Sequence, residues 1–252
     1  MKEILGIDVG ATGIKGGIVD LEKGKLITER YKLLTPENKK PNAIADTVRQ
    51  ISEKFNWKNQ PIGIGFPAVI KNNKSATAAN IDKSWIGLNV KDLFSDATNN
   101  KCTVFNDADA AGIAEMTFGI GHNVKGTVLL LTLGTGIGSA LFRDGILVPN
   151  LELGHLIYKQ GIAEHYASNH ARKSKDLSWE KYGNELNKVL NHIDFLFSPD
   201  LMVIGGGISK KFKEYGSYIS SDLNVKPALH HNNAGIIGAA MSVLYKQKNK
   251  GN

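Results

Sequence analysis

The feature that constrains this chain most is a repeat within it. Ile4–Val9 is a short apolar run ending in Gly10-Ala11-Thr12-Gly13. A second run, Ile14–Val19, leads to a turn at Glu22-Lys23-Gly24 and a third extended segment from Lys25. At an offset of 124 residues the pattern returns as Val128–Leu133, Gly134-Thr135-Gly136-Ile137-Gly138, a run to Phe142 and the turn Arg143-Asp144-Gly145. That offset sets Gly10 on Gly134 and Asp20 on Asp144. Identity between the copies is low, but the order of strand, glycine turn, strand, turn is kept. Internal repetition governs the whole fold. Two copies of one β-meander with helices behind them predict a duplicated α/β fold with a cleft between its halves.

Helical periodicity places Ile44, Val48, Ile51 and Phe55 on one face of a helix over Ala43–Phe55. Strands are expected at Pro61–Phe66, Thr103–Phe105 and Leu201–Ile204. Helices are expected from Asp107 to about Phe118, over Asp176–Phe197 with Ser178 as cap, and over Asn233–Tyr245, which is rich in small residues. The 252 residues suffice for one large domain or two small ones. Cys102 is the only cysteine, which excludes an internal disulfide and a thiolate zinc site. No apolar run reaches membrane-spanning length, and the acidic opening is unlike a signal peptide. A cytoplasmic setting without membrane attachment is expected. The net charge of +7 suits an anionic partner, or serves solubility.

The 27 glycines concentrate in loops after apolar runs. Such loops let backbone N–H groups approach an anion closely. The first adds Asp8, Thr12 and Lys15 to Gly10 and Gly13. The second adds Thr135 and Ser139 to Gly134 and Gly136. The third is Gly205-Gly206-Gly207, followed by Ser209 and by Lys210, Lys211 and Lys213, which also read as a solvated helix face. No loop is a Walker sequence, and the second is followed by a strand where a dinucleotide fingerprint requires a helix. Asn106-Asp107 stands where a strand gives way to a helix. Asp107 there is either a proton acceptor or the helix cap, and position alone favours the cap. Glu152 and His155 bring an acid and an imidazole together beside Gly154, in a pattern suited to sugar hydroxyls. Asn80, Asp82 and Trp85 form a further polar group with an aromatic. Trp85 can cover a sugar face or fill a core.

These stretches together resemble the ROK family of sugar kinases. The resemblance spans nearly the whole chain through Leu5–Gly17, Thr77–Trp85, Asn106–Gly112, Leu131–Ser139, Glu152–His155 and Phe197–Gly207. It implies an actin-like, ribonuclease-H-like fold of two domains, residues 1–117 with 236–252 and residues 118–235. It implies Asp107 as catalytic base, with Asn106, Asn80, Asp82, Glu152, His155 and Glu164 on the sugar. Asp8, Gly10, Thr12, Gly13 and Lys15, then Gly134, Thr135 and Gly136, then Gly205, Gly206 and Gly207 would hold the phosphate donor with Mg²⁺. Many members carry a cysteine-rich zinc motif; Leu156–Ala163 has no cysteine, so no zinc is expected. That absence matches members using inorganic polyphosphate. The expected reaction moves a phosphoryl group from polyphosphate, or ATP, to the 6-hydroxyl of glucose. The alternatives are an ATP-dependent glucokinase or glucomannokinase, and a catalytically silent sugar binder. Relatives suggest a homodimer. The seven residues before Asp8 are expected to leave no room for the helix-turn-helix of ROK repressors, so no specific nucleic-acid partner is expected.

Overall fold

The computed structural model describes residues 2–248. The chain divides into two compact units. One takes the residues up to Ala114 and those from Asn233 onward; the other is Glu115–Asn232.

The first unit begins with β1 (Glu3–Val9), β2 (Gly13–Asp20), β3 (Lys25–Leu26) and β4 (Tyr31–Leu34), followed by α1 (Pro41–Lys54) and β5 (Ile62–Phe66). A small hairpin of β6 (Ile70–Lys71) and β7 (Lys74–Ser75) leads to α2 (Val90–Thr98), β8 (Cys102–Asn106) and α3 (Asp107–Phe118). The sheet runs β3-β2-β1-β5-β8, with β4 also paired to β2. β1, β5 and β8 are mutually parallel, and β2 is antiparallel to β1.

The second unit holds β9 (Thr127–Leu133), β10 (Ile137–Arg143) and β11 (Ile146–Val148), then a hairpin of β12 (Ile157–Tyr158) and β13 (Gly161–Ile162). Next come α4 (Glu164–Ala167), α5 (Asn169–Ser174), α6 (Trp179–Phe197), β14 (Leu201–Gly205), α7 (Phe212–Tyr215) and β15 (Val225–Pro227). Its sheet runs β11-β10-β9-β14-β15. The chain then enters α8 (Ala234–Lys248), which belongs to the first unit.

The two sheets share one plan. β9 is antiparallel to β10 and parallel to β14, as β1 is to β2 and β5. The offset of 124 holds along β1 and β9 but becomes 123 along β2 and β10. Val9 pairs with Ile14, whereas Leu133 pairs with Ile137, so the second turn is one residue shorter. By register Asp20 therefore corresponds to Arg143, not to Asp144.

Each unit has its own core. α1 starts with Pro41 at its first position, where a missing N–H costs nothing, and buries Ile44, Val48 and Ile51. Burying each such side chain stabilises by about 1.5–3 kcal/mol. α6 begins later than the sequence pattern implied. Asp176 has a left-handed φ of 47°, and the helix starts after Ser178, whose side chain accepts the Lys181 N–H. The expected unit boundaries, after 117 and after 235, each lie three residues beyond the observed junctions. At the first, α3 runs unbroken through the junction and leaves no turn signal to read. No helix among the described residues is long and apolar enough to cross a membrane.

The small residues of α8 have a definite use. A Cβ at Gly6 would overlap the Ile236 carbonyl oxygen, one at Gly63 the Ala239 carbonyl oxygen, and one at Gly238 the Ala110 carbonyl oxygen. The helix thus lies backbone-to-backbone on β1, β5 and α3. Gly63→Ala is expected to destabilise the protein by about 1–3 kcal/mol or more, because backbone rather than a flexible side chain must yield. Its urea unfolding midpoint checks this.

Candidate active site

Ligand sites of open α/β sheets lie at the carboxyl ends of the parallel strands. In the first unit Asp8 stands near the end of β1, and its register partners are Lys15 on β2 and Gly65 on β5. Lys15 Nζ lies 3.2 Å from Asp8 Oδ2. The Gly10 N–H bonds the Gly13 carbonyl at 3.2 Å, closing the turn, and Thr12 is exposed at its tip. The Thr35 hydroxyl donates to the Gly10 carbonyl at 2.6 Å. Asp8 also lies against Gly235 in the first turn of α8, where a Cβ would stand 2.7 Å from its carboxyl carbon.

Both residues of Asn106-Asp107 face the first N–H groups of α3: Asn106 Oδ1 accepts those of Ala108 at 2.9 Å and Asp109 at 3.1 Å, and Asp107 Oδ1 accepts that of Ala108 at 2.9 Å. The Asn106 amide donates to the Ala68 carbonyl at 3.2 Å. Asp107 follows, half-buried, as the first residue of α3. A Cβ on Gly65 would lie 3.5 Å from the Asp107 Cα. Gly65 is therefore bordered by Asp8 on one side and Asp107 on another.

In the second unit the Gly134 N–H bonds the Gly136 carbonyl at 3.0 Å, and the Gly134 carbonyl accepts the His170 N–H at 3.0 Å. The Ile137 N–H donates to Glu164 Oε2 at 3.2 Å. That carboxylate occupies the space a Cβ at Gly136 would need. Glu164 is thus joined to the second glycine turn. Gly154 in turn lets the Glu152–His155 segment approach β10, since a Cβ there would overlap the Ile137 carbonyl oxygen. Ser139 is buried, donates to the Leu151 carbonyl at 2.6 Å and accepts the Leu153 N–H at 2.9 Å. It braces this segment and is not presented to a phosphate. His155 Nδ1 lies 3.3 Å from Glu152 Oε2. Gly205 pairs with Thr132, and Gly206, at φ 78°, packs against the Leu133 backbone. The second and third glycine turns are therefore neighbours. Lys210, Lys211 and Lys213 are exposed, and Ser209 bonds the Gly206 carbonyl at 2.8 Å.

Residues 4–164 match the sequence profile of the ROK family. The chain belongs to the ROK family. Polyphosphate glucokinase from Mycobacterium tuberculosis (strain CDC 1551 / Oshkosh) is 44% identical over 94% of this chain and 89% of its own length. Among solved structures, the inorganic polyphosphate/ATP-glucomannokinase from Arthrobacter sp. strain KM superposes with a TM-score of 0.95 at 44% identity, covering 98% of this chain and 100% of its own. A ROK family glucokinase from Streptomyces griseus, solved with glucose and AMPPNP, shares the fold with a TM-score of 0.80 at 22% identity, over 94% and 98% of the two chains.

Not every residue expected from the ROK resemblance stands at these strand ends. Asp82 caps the short turn Lys83–Trp85: its Oδ1 accepts the Ser84 hydroxyl and, at 2.9 Å, the Ser84 N–H, and these bonds hold its carboxyl below the usual range. Asn80 is exposed and its carbonyl accepts Lys39 Nζ at 3.2 Å. Trp85 is fully buried, 4.5 Å from the Phe66 ring, and its indole N–H bonds the Lys39 carbonyl; it is core and covers no ligand. Thr35, which bonds the first turn, carries no sequence signal beyond the alternation over Tyr31–Leu34, which is too short to separate from a loop.

Burial raises the Glu152 carboxyl above its usual range; His155 opposes the rise, and the nearby charge of Glu164 adds to it. The fold therefore favours the protonated form, and the stability this lends is present below the unfolded value and lost as pH climbs through the folded one. Glu152→Gln is expected to gain melting temperature relative to the unmodified protein as pH rises above the ordinary glutamate range, followed by circular dichroism. The glycines of the second turn should also separate. Gly136→Ala displaces Glu164 from the Ile137 N–H and is expected to cost about 1–3 kcal/mol. A Cβ at Gly134 meets nothing within 4 Å, so Gly134→Ala should stay within about 0.5 kcal/mol in stability. Paired urea titrations check both.

Proposed function

We propose that this chain transfers a phosphoryl group from inorganic polyphosphate to the 6-hydroxyl of glucose, giving glucose 6-phosphate. One observation supports the chemistry. Asn106 caps α3 through two N–H groups, Asp107 shares only the Ala108 N–H through one of its two carboxylate oxygens, and Asp107 begins the helix at the strand–helix junction beside Gly65. Donor and acceptor are taken from the relatives that match at 44% identity over nearly the whole chain.

Asp107 accepts the proton of the 6-hydroxyl as its oxygen attacks the terminal phosphorus of the donor. The phosphoanhydride bond breaks, and the shortened polyphosphate leaves with the bonding electrons on its oxygen. Glu152, His155 and Glu164 hold sugar hydroxyls, with Asn106 offering its amide. The turns at Gly10–Gly13, Gly134–Gly136 and Gly205–Gly207, with Thr12, Thr135 and Lys15, receive phosphate oxygens. Such transfer depends mainly on positioning and charge stabilisation. Mg²⁺ bound to the donor would neutralise phosphate charge. Asp8 fits as its protein contact, since this ion is held through one or two carboxylates together with phosphates and water. The name of the Arthrobacter relative also carries ATP and a glucomannokinase activity, which favours ATP as second donor and mannose as second acceptor.

Glucose 6-phosphate formation with matched polyphosphate and ATP tests the reading. Turnover with polyphosphate is expected, and turnover with ATP alone would reassign the donor. Asp107→Asn should keep glucose affinity and lose about 10²–10⁴ in kcat, the range of general-base catalysis. Isothermal titration with glucose beside steady-state rates separates the two effects.

A further inference from the structure

β4 brings a second lysine to the first glycine turn. Its register with β2 sets Lys32 opposite Lys15, and Lys15 is opposite Asp8 on β1. Directly opposed residues share one face of a sheet. Asp8, Lys15 and Lys32 therefore form a single row across three strands. Asp8 offsets the charge of Lys15 at 3.2 Å. Lys32 takes part in no ion pair among the described residues. Like charges placed directly opposite destabilise a sheet, so the charge of Lys32 beside Lys15 is not there to hold the strands together.

The path of the Lys32 side chain gives the pairing a use. Its Cε fills the space above Gly13 that a Cβ would occupy, and its Nζ lies 3.3 Å from that point. Gly13 is the residue whose carbonyl closes the turn onto the Gly10 N–H. Thr35, one residue past β4, bonds the Gly10 carbonyl from the other side. The strand is thus fastened to the turn, and its lysine is laid across the turn with the ammonium exposed.

We propose that Lys32 is a donor-binding residue whose ammonium holds a phosphate of the polyphosphate chain next to those met by the first glycine turn. The inference rests on the reading of polyphosphate as donor. A chain of phosphates offers anionic oxygens beyond those that Lys15 and the turn can engage, and an exposed cation beside the turn meets that charge.

Steady-state kinetics of Lys32→Gln and Lys32→Arg, with polyphosphate and glucose varied in turn, test it. For Lys32→Gln the KM for polyphosphate is expected to rise about tenfold, the size of one charge-assisted contact. The KM for glucose and kcat should stay within about twofold. Lys32→Arg should recover most of the loss, and inhibition by added NaCl should be shallower for Lys32→Gln than for the unmodified protein. An unchanged KM for polyphosphate with an unchanged salt response overturns the inference and leaves the proposed reaction standing. Equal rises in both KM values mark a general distortion and overturn it as well. No turnover with polyphosphate in the unmodified protein instead removes the donor reading, and the role of Lys32 with it.

Discussion

The backbone of α8 rests directly on the backbone of two strands, and the candidate site in the first unit depends on that contact. Carbonyl oxygens of Ile236 and Ala239 stand where side chains at Gly6 and Gly63 would be. Nothing larger than hydrogen fits, so the helix can sit at only one depth. That depth fixes β1 and β5, whose ends carry Asp8 and Gly65, and it brings Gly235 against the Asp8 carboxylate. Close packing of this kind transmits position faithfully, because interiors are dense and resist compression.

Glycine does several jobs in this protein that look identical in the sequence. At positions 6, 63 and 238 it permits helix–sheet contact. At 136 and 154 it makes room for the Glu164 carboxylate and the Ile137 carbonyl. At 206 it supplies a left-handed φ. Gly134 answers to none of these demands, since its surroundings are open and its backbone is ordinary. A glycine without such a packing reason, at the end of a parallel strand, is consistent with the phosphate contact proposed for it.

Much of the architecture was legible because the repeat controls it. The succession of strands, the glycine turns and the large helices follow from apolar runs and their punctuation. What escaped was decided by contacts distant in sequence. β4 has four residues and is extended because β2 pairs with it, and α2 depends on an Asn89 cap within a stretch whose periodicity is weak. Trp85 could be core or sugar platform until Phe66 and Phe94 were seen packed on it. The duplicate turns differ by one residue, which sequence spacing alone aligned wrongly beyond the turn. Position alone made Asp107 the natural cap, whereas in the structure Asn106 holds two first-turn N–H groups and Asp107 one of them.

The return of α8 to the first unit also orders events during synthesis. The second unit, Glu115–Asn232, is continuous in sequence and is complete once its own residues have emerged. The first must wait with β1, β5 and their glycine-lined surface uncovered until α8 is made. At about 5–20 residues per second, that interval is on the order of ten seconds. During it the second unit is itself being made, and the α8-facing surface of the first stays uncovered.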